Sequence, residues 1–473
     1  MLTKILLIIL IVFILIHKHF FYHITISNLK ILLWLRNKDY RQNLKQRRLT
    51  KEIGVEQFFL TKKDEISFDV DIPYYDKQYI FKRNNILELL NYKNFGKSDS
   101  LPHTINSFTT PFKFNGEWIG DSIFRMDYEI RKNRKEQYLS ALTKERVVYY
   151  QTIIKNHIPE VFISNMEINL FDACHKLCID MLFILHLGIK PNKEDYNDIQ
   201  IFINAVAKFP MGIFFNKAVI HQLYNLKFFY QKIIQIIKNL DKNTICIVND
   251  WIKSGMNIND IFIEFIHNII GMVTNWVNTV YPYIIGIANS DIPKIKNGLE
   301  KEYILESFRY LMPVKFVSSK IKNPTLEDIQ KKNRNENGYY NAIHNLLEAS
   351  RDLSWGEDKD KFNLARFHKY HKHLSSNGNG KCPFYHSKQN AKVPQKYSIY
   401  ERDNYTPFGI GYRRCPGEFL SMAFLEELAL FVKDKKVTIK LENNISKKEH
   451  YVFDIKETNY VVEFKKKIEN KKN

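Results

Sequence analysis

One cysteine lies where a reactive thiolate is favoured, at the start of a helix. Residues 408–417 read FGIGYRRCPG, and the apolar run EFLSMAFLEELALFVK follows Cys415 and Gly417 with helical spacing. The N-terminus of a helix offers N–H groups and a positive dipole, which favour a thiolate over a thiol. The glycines let the backbone approach a large flat ligand closely. The pattern therefore predicts Cys415 as a metal ligand.

The neighbourhood of Cys415 narrows the kind of metal site. Its sequence neighbours contain no second Cys or His to complete a zinc tetrahedron, whereas an axial ligand to a haem iron needs only one protein sulfur. A free buried cysteine is the alternative. Cys174 and Cys178, around His175, lie four residues apart in an apolar helix, which is typical of core residues. Cys382 lies in a polar loop without a partner at zinc spacing.

The segment around Cys415 resembles the signature of the cytochrome P450 superfamily of haem-thiolate enzymes, Phe-x-x-Gly-x-Arg-x-Cys-x-Gly. Phe408, Gly411, Arg413, Cys415 and Gly417 match every fixed position. The resemblance extends from about residue 60 to 465 through further motifs in the same order. It implies haem b as the cofactor, Cys415 as the axial ligand of its iron, and the other four residues as parts of the cofactor site.

A Glu-x-x-Arg pair before a proline adds to the resemblance. Glu306 and Arg309 are three residues apart, on one helix face, and Pro313 follows. The family buries this pair beside the haem and completes it from a later Phe-x-x-x-Arg-Phe segment, which matches at Arg366. Leu364 departs from the family's usual Pro and loosens that turn. A surface salt bridge is the alternative for an isolated pair.

A second Glu-x-x-Arg pair shows how little this spacing establishes alone. Glu348 and Arg351 have the same separation. We prefer Glu306 and Arg309 because a proline and a strand-like segment follow them, whereas Arg351 begins the Arg-Asp and Trp-Gly run of the next family segment. Glu306, Arg309 and Arg366 are therefore the predicted structural motif.

An arginine-rich segment upstream, MDYEIRKNRKEQYLSAL, resembles the family helix that meets the haem edge. The resemblance implies Arg131 and Arg134 as cofactor contacts. Haem propionates are anionic and guanidinium groups bind carboxylates bidentately, so Arg134 and Arg413 are the predicted clamps. A basic, solvated helix face is the alternative.

The distal helix of the family carries a small residue, Gly, any residue, an acid and Thr. Here Gly271 and Thr274 match and are the implied catalytic residues, but Ile270 replaces the small residue and Val273 replaces the acid. Oxygen activation needs protons, so loss of the carboxylate is expected to slow or reroute it. A Thr in an apolar helix more often bonds its own backbone. The nearby polar residues that could relay water are His267, Asn268 and Asn275.

The N-terminus predicts a membrane anchor. Residues 5–16 read ILLIILIVFILI, and Lys4 and an aromatic trio at 20–22 extend this run towards the length of a span. A cleaved signal peptide is the rival, but HKHFFYHI offers no small residues for cleavage. The positive charges that follow predict a single-pass anchor with the rest of the chain in the cytosol, by the positive-inside rule.

The remaining pattern predicts a mainly α fold with a smaller β portion, like that of cytochrome P450, tethered by the anchor helix. Helical spacing dominates from about residue 139 to 347, and strand-like alternation appears near 314–318 and in the C-terminal segments VTIKLE, YVFDIK and YVVEF. The expected order is helices first and strands late. We divide the chain into an anchor (1–22), a membrane-proximal linker (23–60) and one catalytic domain (61–473).

Composition excludes several classes of protein. The 473 residues include 71 basic and 51 acidic side chains, a net charge of +20, and only five cysteines, which argues against a disulfide-rich secreted scaffold. The basic residues are scattered, and no zinc-finger, helix-turn-helix or RNA-reading pattern accompanies them, so we expect no nucleic-acid partner.

The resemblance implies a monooxygenase that inserts one oxygen atom from O2 into an apolar, lipid-like, sterol-like or fatty-acid-like substrate. Its partners would be the membrane and a separate reductase. The reductase is implied because no flavin or nicotinamide fingerprint is visible in this sequence. The alternatives are a peroxide-using or isomerase-type haem-thiolate enzyme, which tolerates Val273, and a non-catalytic haem-binding protein.

Overall fold

The structure is a computed structural model of the chain. It describes residues 67–72, 75–82, 95–97, 122–123, 126, 128–212, 217–321, 326, 340–351, 355–367, 405–409, 414–441, 451–452, 455–456 and 460–466. The predicted anchor (1–22), the linker (23–60), Cys382, Gly411 and Arg413 lie outside these residues. Within the described part of the chain, no helix combines the length and apolar character that crossing a bilayer requires.

Helices make up most of the described chain. They are α1 (Tyr128–Ser140), α2 (Lys144–Val161), α3 (Leu170–Leu187), α4 (Lys193–Gly212), α5 (Lys217–Lys238), α6 (Ile247–Lys253), α7 (Ile258–Asn268), α8 (Asn275–Ala288), α9 (Glu300–Leu311), α10 (Leu346–Ser350) and α11 (Glu418–Lys433). A π-helical segment, Ile269–Thr274, joins α7 to α8. These three elements form one continuous helical rod, which we call the distal helix.

Side-chain caps mark several helix starts. Asn169 begins α3 by accepting a hydrogen bond from the Asp172 N–H, and Asn257 begins α7 by accepting one from the Asp260 N–H. Both caps satisfy backbone donors that the first helical turn leaves without a partner. At its other end α3 stops at Gly188, whose φ of 69° is the left-handed conformation that glycine adopts without strain.

The described strands form three sheets. They are β1 (Ser67–Ile72), β2 (Tyr75–Lys82), β3 (Phe95–Lys97), β4 (Glu167–Asn169), β5 (Phe316–Ile321), β6 (Tyr340–Asn345), β7 (Lys435–Leu441), β8 (Tyr451–Val452), β9 (Ile455–Lys456) and β10 (Tyr460–Lys466). The first sheet has the order β1-β2-β6-β5-β3, with β2 and β6 parallel and the other pairs antiparallel. The second has the antiparallel order β4-β10-β7, and β8 pairs with β9.

The mainly α fold with a smaller β portion is confirmed, but the expected order of helices before strands is wrong. β1, β2 and β3 precede every described helix, and β6 lies inside the stretch predicted as helical. β1 pairs with β2, its neighbour in the sequence, and β2 pairs in turn with β6, which lies far along the chain. β2 and β3 have partners far along the chain, β6 and β5, which local periodicity does not reveal.

The distal helix runs through the core between α3 and α11. Val273 and Val277 are fully buried, and both α8 and the π-helical segment pack on α3. Towards α11, Trp276 stacks on Phe424 with ring centroids 3.9 Å apart and planes 13° from parallel. The Trp276 indole N–H also donates to the Ser421 hydroxyl at 2.9 Å. The helix that follows Cys415 is therefore held directly against the distal helix.

Replacing Trp276 by Phe is expected to lower the free energy of unfolding by about 1–2 kcal/mol. The smaller ring keeps the stack on Phe424 but loses packing area and leaves the Ser421 hydroxyl without its donor. Urea denaturation measures the change. Ser421→Ala is the control and should cost about 1 kcal/mol or less. Full stability of Trp276→Phe would contradict this account.

Candidate functional site

Cys415 lies in a tight loop directly before α11. Its N–H donates to the Phe408 carbonyl at 2.7 Å, and the Gly409 N–H donates to the Thr406 carbonyl at 3.0 Å. Gly409 has a φ of 69°, a conformation that favours glycine. The Gly417 N–H donates to the Cys415 sulfur. The loop therefore fixes the sulfur at the N-terminal end of α11, and Cys415 itself is half-buried.

Opposing effects act on the Cys415 thiol. Burial raises its pKa, and the neighbouring Glu418 carboxylate raises it further, whereas the Gly417 N–H and the charges of Arg131 and Lys135 lower it. A metal cation would shift this balance to the thiolate, because a coordinating thiol is deprotonated outright. The groups that already favour the thiolate come from α1 and from the loop itself.

Three cationic side chains lie near Cys415 among the described residues. Arg131 and Arg414 are both buried, and burial lowers the pKa of Lys135 to about 8, with Arg131 adding to that effect. Arg414 binds the Glu418 carboxylate bidentately at 2.6 and 2.8 Å. A haem with two anionic propionates and a thiolate-ligated iron fits a site that offers one sulfur with cationic side chains near it.

Arg131 and Arg134 differ in placement although both belong to α1. The charge of Arg131 acts on Cys415, whereas Arg134 binds two carboxylates of α7, at 2.6 Å from Asp260 and 3.0 Å from Glu264. The structure thus brings Arg131 to the cysteine and directs Arg134 to the distal helix. Lys135 was not among the residues predicted from the sequence. It lies beside Arg131 because the two residues are four positions apart, on one helix face.

Glu264 is a buried carboxylate that the sequence reading also missed. It is 0% exposed, and its Oε1 accepts from the Ile123 N–H at 2.7 Å and from Arg134. Burial raises its pKa to about 7, although Arg134 opposes this shift. Arg134 shares its charge with Asp260, which weakens its hold on Glu264. The available signal was a single acid inside the apolar run IFIEFI of the distal helix.

A neutral hydrogen-bond network links Asn268 of the distal helix to α1 and α3. Its amide nitrogen lies 2.7 Å from the Tyr138 hydroxyl and 3.1 Å from His186 Nε2. Burial lowers the pKa of His186 to about 4, so the ring is neutral at physiological pH. His186 Nδ1 lies 3.0 Å from the Leu182 carbonyl and must be the donor there, which leaves Nε2 to accept from Asn268.

The π-helical segment of the distal helix contains both predicted catalytic residues. Gly271 is exposed, whereas Thr274 is buried and its hydroxyl donates to the Ile270 carbonyl. This is the backbone bond that Thr commonly makes inside helices. The position where the family has its acid is occupied by Val273, which is fully buried and supplies no carboxylate. π-helical turns are rare and frequently mark functional sites.

Arg309 is the centre of a fully buried ion cluster, which we call the Arg309 cluster. Glu306 receives its Nε and Nη2 donors at 2.7 Å each, and its remaining N–H groups bond the carbonyls of Ser350, Lys359 and Lys361 at 2.7–2.9 Å. Both Glu306 and Arg309 are 0% exposed. A buried pair is tolerated only when such additional hydrogen bonds satisfy both partners.

Arg366 joins the Arg309 cluster as the third predicted member. Its Nε lies 3.4 Å from Glu306 Oε1, and its Nη2 lies 2.6 Å from Asp358 Oδ1. The Asn363 N–H also donates to Glu306 Oε1, at 2.8 Å. Leu364 therefore leaves Arg366 in reach of Glu306 even though the family's Pro is absent from this turn. The structure brings all three motif residues together.

The second Glu-x-x-Arg pair has a different environment. Glu348 is exposed and its N–H and carboxylate bond the Asn345 side chain, which caps α10. Arg351 contacts the Tyr310 ring at 6.0 Å and lies 3.7 Å from Asp360. These are separate, partly solvated contacts, whereas the first pair is buried.

The other sequence candidates also have definite positions. Phe408 packs its ring 4.7 Å from that of Phe308 on α9, which joins the cysteine loop to the helix of the Arg309 cluster. Burial raises the pKa of the Cys174 and Cys178 thiols well above the usual range, in keeping with core residues. Within the described ranges, no group of three or more His, Cys, Asp or Glu side chains is arranged to hold a metal ion.

Comparison with known proteins identifies the fold. No family model and no curated protein matches the sequence. Among solved structures, cyanobacterial CYP120A1 with bound retinoic acid has a TM-score of 0.62 at 11% identity, over 88% of this chain and 96% of that chain. Ligand-free cytochrome P450 OleT has a TM-score of 0.59 at 14% identity, over 90% and 98%.

A third solved structure agrees with these two. Cytochrome P450SP alpha (CYP152B1) has a TM-score of 0.58 at 13% identity, covering 88% of this chain and 98% of that chain. Similarity at this level of identity establishes architecture. The chain has the cytochrome P450 fold, and the predicted resemblance to that superfamily is confirmed at the level of the fold.

Replacing Arg309 by Lys is expected to cost about 3–5 kcal/mol of stability. Lys keeps the charge but lacks the planar fork, so Glu306 and several carbonyls lose buried donors. Urea unfolding and soluble yield report the loss. Arg351→Lys is the matched control and should change stability by about 0.5 kcal/mol or less, because its contacts are partly solvated. If the two substitutions lowered stability equally, the buried hydrogen bonds of Arg309 would contribute no more to stability than the partly solvated contacts of Arg351.

Replacing Glu264 by Gln is expected to change how stability depends on pH. The carboxyl titrates at about 7 in the folded protein and near 4.5 when unfolded, so unfolding releases a proton between these values. The wild-type free energy of unfolding therefore falls relative to Glu264→Gln as the pH rises from 4.5 to 7, and the difference is constant above 7.

Urea titrations of both proteins at about pH 5 and about pH 7.5 measure this difference. Glu145→Gln, at an exposed position in the first turn of α2, is the control. A constant difference between wild type and Glu264→Gln at the two pH values would show that burial does not govern the Glu264 carboxyl.

Proposed function

We propose that this chain is a haem-thiolate enzyme that oxidises an apolar, lipid-like small molecule, with haem b held through Cys415. The observation that carries the proposal is the placement of Cys415. Its sulfur accepts the Gly417 N–H before α11 and lies near the buried Arg131 and Arg414 and the half-buried Lys135, in a chain with the cytochrome P450 fold. Phe408 and Gly417 belong to the same loop, and Gly411 and Arg413 are proposed parts of it.

The residues of the chain have distinct roles in this proposal. Bound haem supplies the oxidising chemistry, since an axial thiolate pushes electron density to the iron and favours O–O cleavage. The Gly417 N–H holds the sulfur, and Arg131 and Lys135 balance the negative charge of the thiolate and the propionates. The Arg309 cluster fixes α9, on which the Phe408 loop packs.

Similar structures suggest the class of substrate. The CYP120A1 structure holds retinoic acid, and an OleT variant is in complex with arachidonic acid. Both ligands are long apolar carboxylic acids. We propose a fatty-acid-like or other lipid-like substrate on these grounds.

Oxygen and a separate reductase are the proposed co-reactants. The reaction is RH + O2 + 2e⁻ + 2H⁺ → ROH + H2O, and its electrons must come from outside because the sequence has no flavin or nicotinamide fingerprint. The residues proposed to act on the distal side are Gly271 and Thr274, with protons arriving through polar groups of the distal helix such as His267 and Asn268.

A peroxide-using enzyme is the second candidate, and Val273 favours it. This buried apolar side chain occupies the position of the acid that the family uses for proton delivery. Hydrogen peroxide brings both oxygen atoms, the electrons and the protons with it, in the reaction RH + H2O2 → ROH + H2O. An enzyme of this kind needs no reductive activation of O2 and no net uptake of protons, so it needs no reductase and tolerates Val273 in place of the acid.

Membrane attachment completes the proposal. The apolar run at 5–16 supports an anchor over residues 1–22, the linker 23–60 would follow, and residues 61–473 would form one catalytic domain facing the cytosol. A lipid-like substrate partitions into the bilayer, so an anchored enzyme would meet it there.

The absorption difference spectrum of the reduced, full-length protein with and without carbon monoxide tests the proposal. We expect a red-shifted, thiolate-type band in the wild type that is lost in Cys415→Ala, because the axial sulfur is removed. Cys246→Ala is the matched control, since Cys246 is also buried and begins a helix, and its band should be unchanged. Absence of haem, or an unchanged band in Cys415→Ala, would overturn the ligand assignment.

The same preparation distinguishes the two candidate reactions. Arachidonic acid is supplied either with a reductase, its electron donor and O2, or with hydrogen peroxide alone. Product in the first reaction favours the monooxygenase, and product in the second favours the peroxide-using enzyme. If the haem-loaded, thiolate-ligated protein converts neither arachidonic acid nor any other lipid supplied in the same two ways, it would be a non-catalytic haem protein.

A further inference from the structure

Trp251 is a fully buried side chain in an aromatic contact between three helices. It belongs to α6, which packs on α1, α3 and α7. Its ring centroid lies 4.6 Å from that of Tyr138 on α1, with the two planes 55° apart, and 5.6 Å from that of His186 on α3 in an edge-on contact. Rings at such separations touch each other. An electron can therefore pass between Trp251 and Tyr138 without crossing solvent.

Tyr138 connects this aromatic contact to the site of Cys415. Burial raises the pKa of the Tyr138 hydroxyl well above its usual range, and the negative charges of Glu264 and Cys415 raise it further. The charge of the Cys415 sulfur thus acts on the Tyr138 side chain. Arg131 and Lys135, which lie within two turns of Tyr138 on the same helix, act on the same sulfur. The Tyr138–Trp251 pair consequently adjoins the proposed haem site through α1.

The two rings differ in what happens when each loses an electron. A phenol releases its proton as it is oxidised, and the Tyr138 oxygen is bonded by Asn268 Nδ2, a donor that cannot take up that proton. An indole can lose an electron and keep its proton. Among the residues that the structure describes, the Trp251 N–H has no hydrogen-bond partner that could remove it. An electron withdrawn from the pair therefore leaves a positive charge, and this charge comes to lie on Trp251.

The surroundings of the pair favour that positive charge. The negative charges of Glu264 and of a Cys415 thiolate, both of which act on Tyr138, attract it. Arg134 opposes this attraction, although it is itself paired with Glu264 at 3.0 Å. The ring of His186 is neutral at physiological pH, because burial lowers its pKa to about 4, and it adds no opposing charge. The electrostatic balance thus favours loss of an electron from the pair.

We infer that Trp251, acting through Tyr138, is an electron donor that reduces the haem site when this site is oxidised without bound substrate. The inference rests on the proposed function and gives the two residues a role outside the oxidation of substrate. The oxidant is hydrogen peroxide, in the half-reaction H2O2 + 2e⁻ + 2H⁺ → 2H2O, whose protons come from water. One electron is withdrawn from the haem site and one from Trp251, which becomes a cation radical. The oxidising equivalent thereby moves away from the Cys415 sulfur.

Electron paramagnetic resonance of the haem-loaded, full-length protein tests this inference. The protein is mixed with hydrogen peroxide in the absence of lipid and is then frozen. We expect an organic radical signal from the wild type. The signal should narrow when tryptophan carries deuterium on its indole ring, because the unpaired electron then couples to weaker nuclear moments, and it should be unchanged when tyrosine is deuterated.

Three variants locate the radical. Trp251→Phe keeps a ring against Tyr138 but replaces the indole by a ring that is much harder to oxidise, so the signal should be lost. Tyr138→Phe removes the oxidisable phenol between Trp251 and the site and should weaken the signal. Trp276→Phe is the matched control, since Trp276 is also buried but its indole N–H donates to Ser421, and the signal should be unchanged.

The outcomes distinguish this inference from the proposed function. In a wild type that shows the thiolate-type absorption band, absence of a radical or narrowing with deuterated tyrosine would overturn the assignment of Trp251. Persistence of the full signal in Trp251→Phe, or its loss in Trp276→Phe, would do the same, and a full signal in Tyr138→Phe would remove Tyr138 from the route. Absence of the absorption band would overturn the proposed function and the inference together. Should Trp251→Phe fail to fold, isotope labelling of the wild type still decides between the two ring types.

Discussion

The buried guanidinium of Arg309 is the constraint on which the arrangement of the site depends. A charge with no exposed surface must have every donor satisfied, and this one needs Glu306 together with the carbonyls of Ser350, Lys359 and Lys361. Those groups belong to α9, to α10 and to the segment 355–367, so one side chain sets the relative positions of three parts of the chain. The cysteine loop rests on the same helix, because Phe408 packs on Phe308.

A second set of contacts joins α11 to the distal helix. The stack of Trp276 on Phe424 and its bond to Ser421 hold α11, the helix that follows Cys415, against the distal helix. The two sets differ in kind. Ion pairing in the Arg309 cluster demands specific geometry, whereas the aromatic stack contributes apolar burial that tolerates small adjustments. Together they fix the Phe408 loop on α9 and α11 on the distal helix, while Arg131 and Lys135 of α1 act on Cys415.

Sequence reasoning predicted those features in which spacing and chemistry coincide. The start of α11 after Cys415, and the meeting of Glu306 with Arg309 and Arg366, follow from motifs that need particular residues at particular separations. It did not predict contacts that depend on the fold. Two neighbouring cations of α1 have different surroundings, because Arg134 binds carboxylates of α7. The pKa of Glu264 is raised because the fold buries its carboxyl. Among the early strands, β2 and β3 were missed because their partners β6 and β5 lie far along the chain.

The parallel pairing of β2 with β6 also bears on the biosynthesis of the protein. Tyr79 pairs with Asn341, so the five-stranded sheet cannot close until most of the polypeptide has left the ribosome. Until then the β1–β2 hairpin presents an unpaired edge, which is the kind of surface that other chains can join. Contacts of such long sequence separation also slow folding, because a long loop must be ordered before any bond forms. The nascent chain therefore passes through a prolonged interval in which chaperone protection of its N-terminal strands has the greatest value.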